Sequence, residues 1–307
     1  MGKNHKIRRG ILYGFLTALV SGVSIFYSKT IVLTVPPLVL TTIRNLSVGI
    51  LFLLFFVLQK KIVKDLRLIK KKDWFYLILI GVLGGALPFY FFFSGLKLIP
   101  AQTANLIHKS LFIWVTLLAA FFLGEKMRFP FWLSFILIFL ANYYFSPFKF
   151  NFNQGEMMVL LATWLWATEN ILAKKVLKNV SSEVVGLFRM GIGGFILFLA
   201  ALFFGQTKII FSLSVSQWQL ILPGVLLLFL YVFFWYKALK YAQASLVTLI
   251  LTFSTVVGNL LLGSFSRIKI LPNDIYSNLI IMMAILIIFI KGNNLFNDEK
   301  RRITSLR

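Results

Sequence analysis

Five ionisable side chains stand inside long apolar runs of this chain: Arg44, His108, Lys109, Glu169 and Arg189. A charged group at the middle of a membrane helix costs at least about 2.5–3.5 kcal/mol, so each needs a partner or a purpose. Asn105, His108, Lys109, Phe112 and Thr116 fall broadly on one helical face. An ammonium beside an imidazole and an amide suits capture of a carboxylate or phosphate. Arg44 and Arg189 each lie seven residues into an apolar run, or about 10 Å of helix. Such a residue either bonds carbonyls of a neighbouring helix or contacts substrate. Glu169 is the one acid well inside an apolar run. It is read either as the ion-pair partner of Arg189 or as a proton carrier. Two polar stripes, Thr17-Ser21-Ser24-Ser28 and Thr248-Thr252-Thr255-Asn259, share 4, 3, 4 spacing. In lipid such faces turn inward, towards other helices or a wet cavity. Aromatic residues, Trp235 among them with Trp114, Trp164, Trp166, Tyr231 and Tyr236, are candidates to line a pocket.

These residues must be held by membrane helices. Of 307 residues, 59% are hydrophobic and 13% charged. The apolar residues form unbroken blocks long enough to cross about 30 Å of hydrocarbon, without the alternation of barrel strands. Ten spans are placed near 9–30, 38–58, 74–96, 102–123, 130–147, 156–176, 184–204, 217–239, 244–263 and 275–291. The net charge of +23 would suggest nucleic acid in a soluble protein. Here it reflects loops: 23 of the 32 Lys and Arg fall on the side of the N-terminus, 6 on the other side and 3 within spans. That bias puts both termini in the cytoplasm. There is no Cys, and with 2 His and 9 acids no metal site, cofactor or nucleophile–base constellation is expected, which argues against an enzyme. The loops are too short for a nucleotide-binding domain.

The spans repeat. Gly10, Leu16, Lys29, Arg44 and Gly49 match Gly155, Leu161, Lys174, Arg189 and Gly194 at an offset of 145. Later Leu96-Lys97 matches Leu239-Lys240, and Ala101-Gln102 is paired with Ala242-Gln243. The chain is therefore read as an all-α polytopic membrane protein of two five-helix repeats, 1–148 and 149–294, followed by a basic cytoplasmic tail, 295–307, disordered or lying on anionic lipid. Five is odd, so the second repeat is inverted, an arrangement typical of secondary transporters. Lys109 has no charged counterpart, with Ile250 or a near neighbour in its place, and Ser24 stands opposite Glu169. Lys29 and Lys174 are expected to snorkel, and Glu125 to pair with Lys126 or Arg128. Pro88 is expected to kink its helix and expose a carbonyl.

This layout resembles the drug/metabolite transporter superfamily, EamA type. The resemblance rests on LKLIPAQTANL at 96–106, LKYAQASLV at 239–247, Leu123-Gly124-Glu125 and the early Arg of the second helix of each repeat. It covers nearly the whole chain. The Glu of the LGE motif is missing from repeat two, where Gly263-Ser264 stands, and a Pro often found midway in the fourth helix is absent. The resemblance implies a transporter of small metabolites driven by a gradient. The expected function is export or exchange of a small organic solute such as an amino acid or organic anion, by alternating access and with proton coupling through Glu169. The alternative is a flippase of a lipid or lipid-linked sugar. The substrate contacts expected are Lys109, His108, Asn105, Arg44, Thr252 and Trp235, in a monomer or homodimer of the cell (inner) membrane.

Overall fold

Continuous apolar sequence with few helix breakers folds as helices in lipid, because only a helix satisfies its own backbone there. A computed structural model of the chain describes residues 3–58, 66, 69–126, 129–144, 151–265 and 272–304. Among the described residues ten helices form the membrane-spanning set. They are α1 (Lys3–Val32), α2 (Pro37–Leu58), α3 (Lys71–Leu98), α4 (Ala101–Leu123) and α5 (Phe129–Tyr144). The second set is α6 (Gln154–Val176), α7 (Ser182–Phe203), α8 (Val215–Tyr241), α9 (Ala244–Leu251 continued by Ser254–Phe265) and α10 (Pro272–Thr304). Seven of these are long and apolar enough to span by composition alone; α5 and α10 carry shorter apolar stretches, and α6 holds the extra charges. The charge count also used Lys60, Lys61, Lys64, Arg67, Arg128, Lys149, Arg267, Lys269 and Arg307, which lie outside the described residues, as do 145–150 of the linker. The tail read as disordered or lipid-bound continues α10 as helix as far as Thr304.

Below, the N-terminal face is the side on which α1 begins. The pseudo-two-fold axis is visible where α2 crosses α7. A Cβ on Gly49 would lie 3.0 Å from Gly191 Cα, and one on Gly194 would lie 2.7 Å from the Leu46 nitrogen. Leu46 and Gly191 are themselves related by the same 145-residue offset. Small residues let these backbones approach, which is how membrane helices associate without a hydrophobic drive.

Three helices depart from regular α geometry. In α3, Pro88 has no N–H and its ring crowds the preceding turn. The turn widens into a π segment at Gly81–Ala86, where the Leu87 N–H reaches back to the Val82 carbonyl. In α4 the helix breaks at Ser110, and in α9 at Thr252-Phe253. From sequence alone both read as continuous spans, 102–123 and 244–263. Hydroxyls sit at each break: Ser110 Oγ donates to the Ile107 carbonyl (2.7 Å) and Thr252 Oγ1 to that of Leu249 (2.6 Å).

The turns that lead into these broken helices correct the repeat register. Ile99 (φ −125°, ψ 161°) and Pro100 (φ −57°, ψ 147°) have the conformations of Ala242 (φ −125°, ψ 164°) and Gln243 (φ −59°, ψ 145°). Ala101 is therefore equivalent to Ala244 rather than Ala242, and Lys109 to Thr252 rather than Ile250. The AQ dipeptides matched by letter occupy different places in the turn.

α3 packs closely on α7. A Cβ on Gly85 would fall 1.8 Å from the Arg189 carbonyl oxygen, whereas one on Gly191 meets nothing within 4 Å. Gly85→Ala is expected to destabilise the fold by about 1–3 kcal/mol or more through overpacking. Thermal unfolding in detergent checks this: the midpoint should drop for Gly85→Ala and hold for Gly191→Ala.

Candidate functional site

Between the two repeats lies a cavity of about 500 Å³, counted to its open mouth. Its walls come from α1 (Ser21, Ser24, Ser28), α2 (Arg44), α3 (Phe89, Phe92, Phe93), α4 (His108), α6 (Trp166), α7 (Arg189) and α8 (Leu228, Tyr231). Arg44 enters from the face opposite the N-terminus and Arg189 from the N-terminal face, each seven residues from its helix start. Each is thus about 10 Å deep, leaving about 10 Å of the membrane's depth between them.

Both arginines are held across the repeat boundary. The Arg44 guanidinium donates to Ser28 Oγ (2.9 Å) and to the Gly224 carbonyl of α8 (2.9 Å), and lies 5.1 Å from the centre of the Phe93 ring. Arg189 Nε donates to the Gly84 carbonyl of α3 (3.0 Å). That carbonyl is free because Pro88, four residues on, has no N–H to offer it. Trp166 Nε1 shares it, also at 3.0 Å. The carbonyl exposed by Pro88 thus fixes one cation and one aromatic wall of the cavity at once.

The two arginines differ in what faces their charge. Phe93 beside Arg44 corresponds at the 143-residue offset to Tyr236, whose ring centre is 5.6 Å from Arg189. Tyr236 donates its hydroxyl to Glu169 Oε1 (2.6 Å), and Glu169 Oε2 is 3.9 Å from Arg189. Glu169 is fully buried, and Oε2 makes no hydrogen bond among the described residues. It packs so closely on Gly84 that a Cβ there would come within 2.5 Å of its Cγ. Arg44 has no carboxylate partner among the described residues, and its Nε is unbonded.

Lys109 ends the first half of α4 and is buried, with its Nζ 3.2 Å from Ser21 Oγ on the cavity wall. His108 faces the rings of Trp166 (5.0 Å) and Phe92 (5.5 Å), with Nδ1 unbonded. The structure thus brings Arg44 and His108 to one cavity, with Lys109 behind its wall against Ser21. It places Asn105, Thr252 and Trp235 elsewhere. Asn105 is buried with an unbonded Oδ1, Thr252 bonds its own helix, and Trp235 Nε1 donates to Asn170 Oδ1 (2.8 Å). Glu169 sits behind Arg189 rather than on the wall. Phe89, Phe92 and Phe93 are absent from the residues that sequence reasoning singled out. Their i, i+3, i+4 spacing after Pro88 was the available signal.

Lys29 and Lys174 are half-buried at helix ends, and their ammonium groups bond turn carbonyls there. Lys29 Nζ donates to the carbonyls of Leu96 (2.6 Å) and Ile99 (2.8 Å), and Lys174 Nζ to those of Leu239 and Ala242 (2.6 Å). Among the described residues Glu125 makes no ion pair with Lys126, and Arg128, its other expected partner, lies outside them. Glu125 accepts from the backbone of Ala244 and Ser245 at the start of α9. Among the described residues no group of three or more His, Asp or Glu is placed to hold a metal.

A multi-pass helical protein with paired inverted repeats and a charged cavity between them has the architecture of a membrane transporter. Comparison with known proteins agrees: residues 8–146 and 153–290 each match the EamA-like transporter family, and the chain belongs to that family. It is 24% identical over 230 residues to the uncharacterized transporter YoaV of Bacillus subtilis, covering 73% of this chain and 77% of that protein. It is 26% identical over 207 residues to an uncharacterized transporter of Synechocystis sp., covering 61% of this chain and 58% of that one. A crystal structure at 18% identity superposes with a TM-score of 0.72 over 94% of this chain and 98% of its own, and so shares the fold.

Pro88→Ala restores an N–H that competes for the Gly84 carbonyl. A hydrogen bond from a charged group is worth about 1.5–3 kcal/mol, so ligand affinity at the cavity should weaken about 10- to 100-fold. Titrating tryptophan fluorescence checks it, because the same change releases Trp166.

Proposed function

We propose that this protein is a secondary active transporter of a small organic anion, a carboxylate or phosphate, moved by alternating access through the cavity between the repeats. One observation carries the reading: Arg44 and Lys109 are buried cations that touch hydroxyls, carbonyls and aromatic rings but no carboxylate among the described residues. Arg189 has Glu169 nearby to offset its charge, so the walls carry a net positive excess. Charges so costly in a membrane are retained where a mobile anion neutralises them. The aromatic lining of the cavity suits the apolar body of an organic anion. His108 adds a polar edge to the same wall. Asn105, Thr252 and Trp235 act behind it, shaping the helices that line the cavity.

Glu169 and Tyr236 support coupling to protons. A carboxylate bonded through one oxygen, with the other 3.9 Å from Arg189, can exchange that weak pairing for a proton when substrate draws Arg189 away. The excess of Lys and Arg on the N-terminal face assigns that face, with both termini, to the cytoplasm of a cell membrane. The competing cargo, a lipid or lipid-linked sugar, requires the cavity to open sideways between helices.

A thermal-shift screen of purified protein against amino acids, nucleotides, organic acids and lipid phosphates tests the cargo. Binding at 100 times Kd adds about 2.7 kcal/mol of stability, so a soluble carboxylate or phosphate should raise the unfolding midpoint. Stabilisation by lipid phosphates alone would overturn the reading in favour of the flippase. Arg44→Gln and Lys109→Met should each lower uptake of the hit into proteoliposomes by about 10-fold or more, from the loss of a charge-assisted contact. Unchanged uptake at equal incorporation would remove these roles. Glu169→Gln should abolish the pH dependence of uptake; a variant that kept it would rule out the proton-carrier role.

A further inference from the structure

The two turns that join third to fourth helices sit in matching sockets, one at each membrane face. Away from the N-terminus, Lys29 holds the carbonyls of Leu96 and Ile99, and Gly155 lies against Leu98 and Ile99, where a Cβ would come 2.7 Å from Ile99 Cγ2. At the N-terminal face, Lys174 holds the carbonyls of Leu239 and Ala242, and a Cβ on Gly10 would lie 2.6 Å from that of Ala242. Lysine, glycine and turn correspond one for one.

The N-terminal-face socket has a third wall that the other lacks. Gly124, at φ 64°, turns the chain back at the end of α4 and presents Glu125 to the start of α9. Its Oε1 accepts from the Ala244 N–H (2.8 Å), and its Oε2 from the Ser245 N–H (3.1 Å) and the Ser245 hydroxyl. These are first-turn amides, where a helix favours negative charge. At the opposite face, α4 begins with Pro100 and has no side-chain cap. No Asp or Glu occurs between residues 184 and 273, so the end of α9 has no acid to offer it. Burial shows the same asymmetry: every residue of Ala244–Leu251 is buried, whereas Gln102, Thr103 and Leu106 in the matching half of α4 are only partly so.

We infer that Glu125 is the latch of the N-terminal-face gate, joining the end of α4 in one repeat to the start of α9 in the other, and that the protein rests with this gate shut. The inference rests on the alternating-access reading above. Opening this face requires the α8–α9 turn to part from α4, and the Glu125 bonds cross that seam. The Lys29 and Lys174 clasps lie within one repeat each and can travel with it. Among the described residues no carboxylate bonds the α3–α4 turn at the opposite face; the side-chain bonds between repeats there are neutral ones, from Tyr27 to the Leu220 carbonyl and from Gln217 to the Thr34 carbonyl, and its gate opens more readily.

The absence of native cysteine makes the test direct. Spin labels on Lys126→Cys and Gln243→Cys flank the latch, and pulsed dipolar spectroscopy in nanodiscs, without cargo, reads their separation. The parent should give one short distance. Adding Glu125→Ala should create a longer population of at least half the molecules, and the near-isosteric Glu125→Gln a smaller one. In the same background, labelling of Ser24→Cys by an impermeant maleimide from the opposite face should slow several-fold. An unchanged distance distribution in Glu125→Ala protein with the parent's unfolding midpoint would overturn the latch. Should that variant not fold, Ser245→Ala, which removes only the hydroxyl donor, must lengthen the distance in part, or the latch is likewise refuted. The two readings separate cleanly. Uptake of an anion with no gate response to Glu125 defeats the latch alone; a gate response without anion uptake defeats the proposed cargo alone.

Discussion

Hydrocarbon offers a guanidinium no acceptor, and the need to supply one from protein organises the centre of this molecule. Arg44 and Arg189 each reach over the repeat boundary to a glycine carbonyl on the third helix of the other half, Gly224 and Gly84. Glycine is needed at Gly84, where Glu169 comes too close for a side chain, whereas the space at Gly224 is less crowded. A Cβ on Gly84 would strike Glu169, and one on Gly224 would lie 3.5 Å from Arg44 Nε. The two bonds tie the halves together at their middle while leaving the ends free to part. A joint of this kind suits a protein whose halves rock about a central site.

The same constraint governs the backbone. A carbonyl released by Pro88 cannot be left bare at membrane depth, so it recruits Arg189 and Trp166. The breaks in α4 and α9 release further carbonyls, and hydroxyls of Ser110, Thr252 and Ser254 satisfy three of them. Irregular backbone and cavity therefore occur together: non-helical geometry survives where protein or water can complete it, and where it survives it leaves polar groups pointing inwards.

The sequence carried the architecture well and the site only in part, for physical reasons that particular residues show. Helix number and inversion were legible because apolar length and charge bias act on whole segments. The repeat was legible at Arg44 and Arg189, where bulky charged letters mark the register. It slipped at Ala101-Gln102, because a turn conserves backbone angles rather than letters, and only the dihedral match of Ile99 to Ala242 restores it. Lys29, Lys174 and Glu125 were each assigned to the nearest water or the nearest opposite charge in sequence. Their actual partners are backbone groups on distant segments, which no local pattern encodes. Phe92 was lost among 34 phenylalanines, since lipid-facing and cavity-facing rings read alike. Trp235 illustrates the reverse error of attention: an aromatic in a span is conspicuous, yet this one is spent on Asn170.

What remains is the pattern in how the halves differ. Perfect two-fold symmetry would make the protein's two end states equal in energy and place equivalent charges at both ends of the cavity. Four residues without a chemical match at the corresponding or nearly corresponding place break that equality. Lys109 stands where the other half has Thr252, so the positive excess lies towards one wall. Glu169 and Tyr236 stand where the other half has Ser24 and Phe93, so only Arg189 is countered and Arg44 keeps its field. Glu125 bridges the turn at one face with no acid to match it at the other. Each change alone leaves the scaffold contacts intact, because the lysine clasps, the glycine crossings and the arginine–carbonyl bonds are all present twice. The scaffold is thus built by duplication, and the residues on which the proposed transport and gating rest lie where the two copies differ.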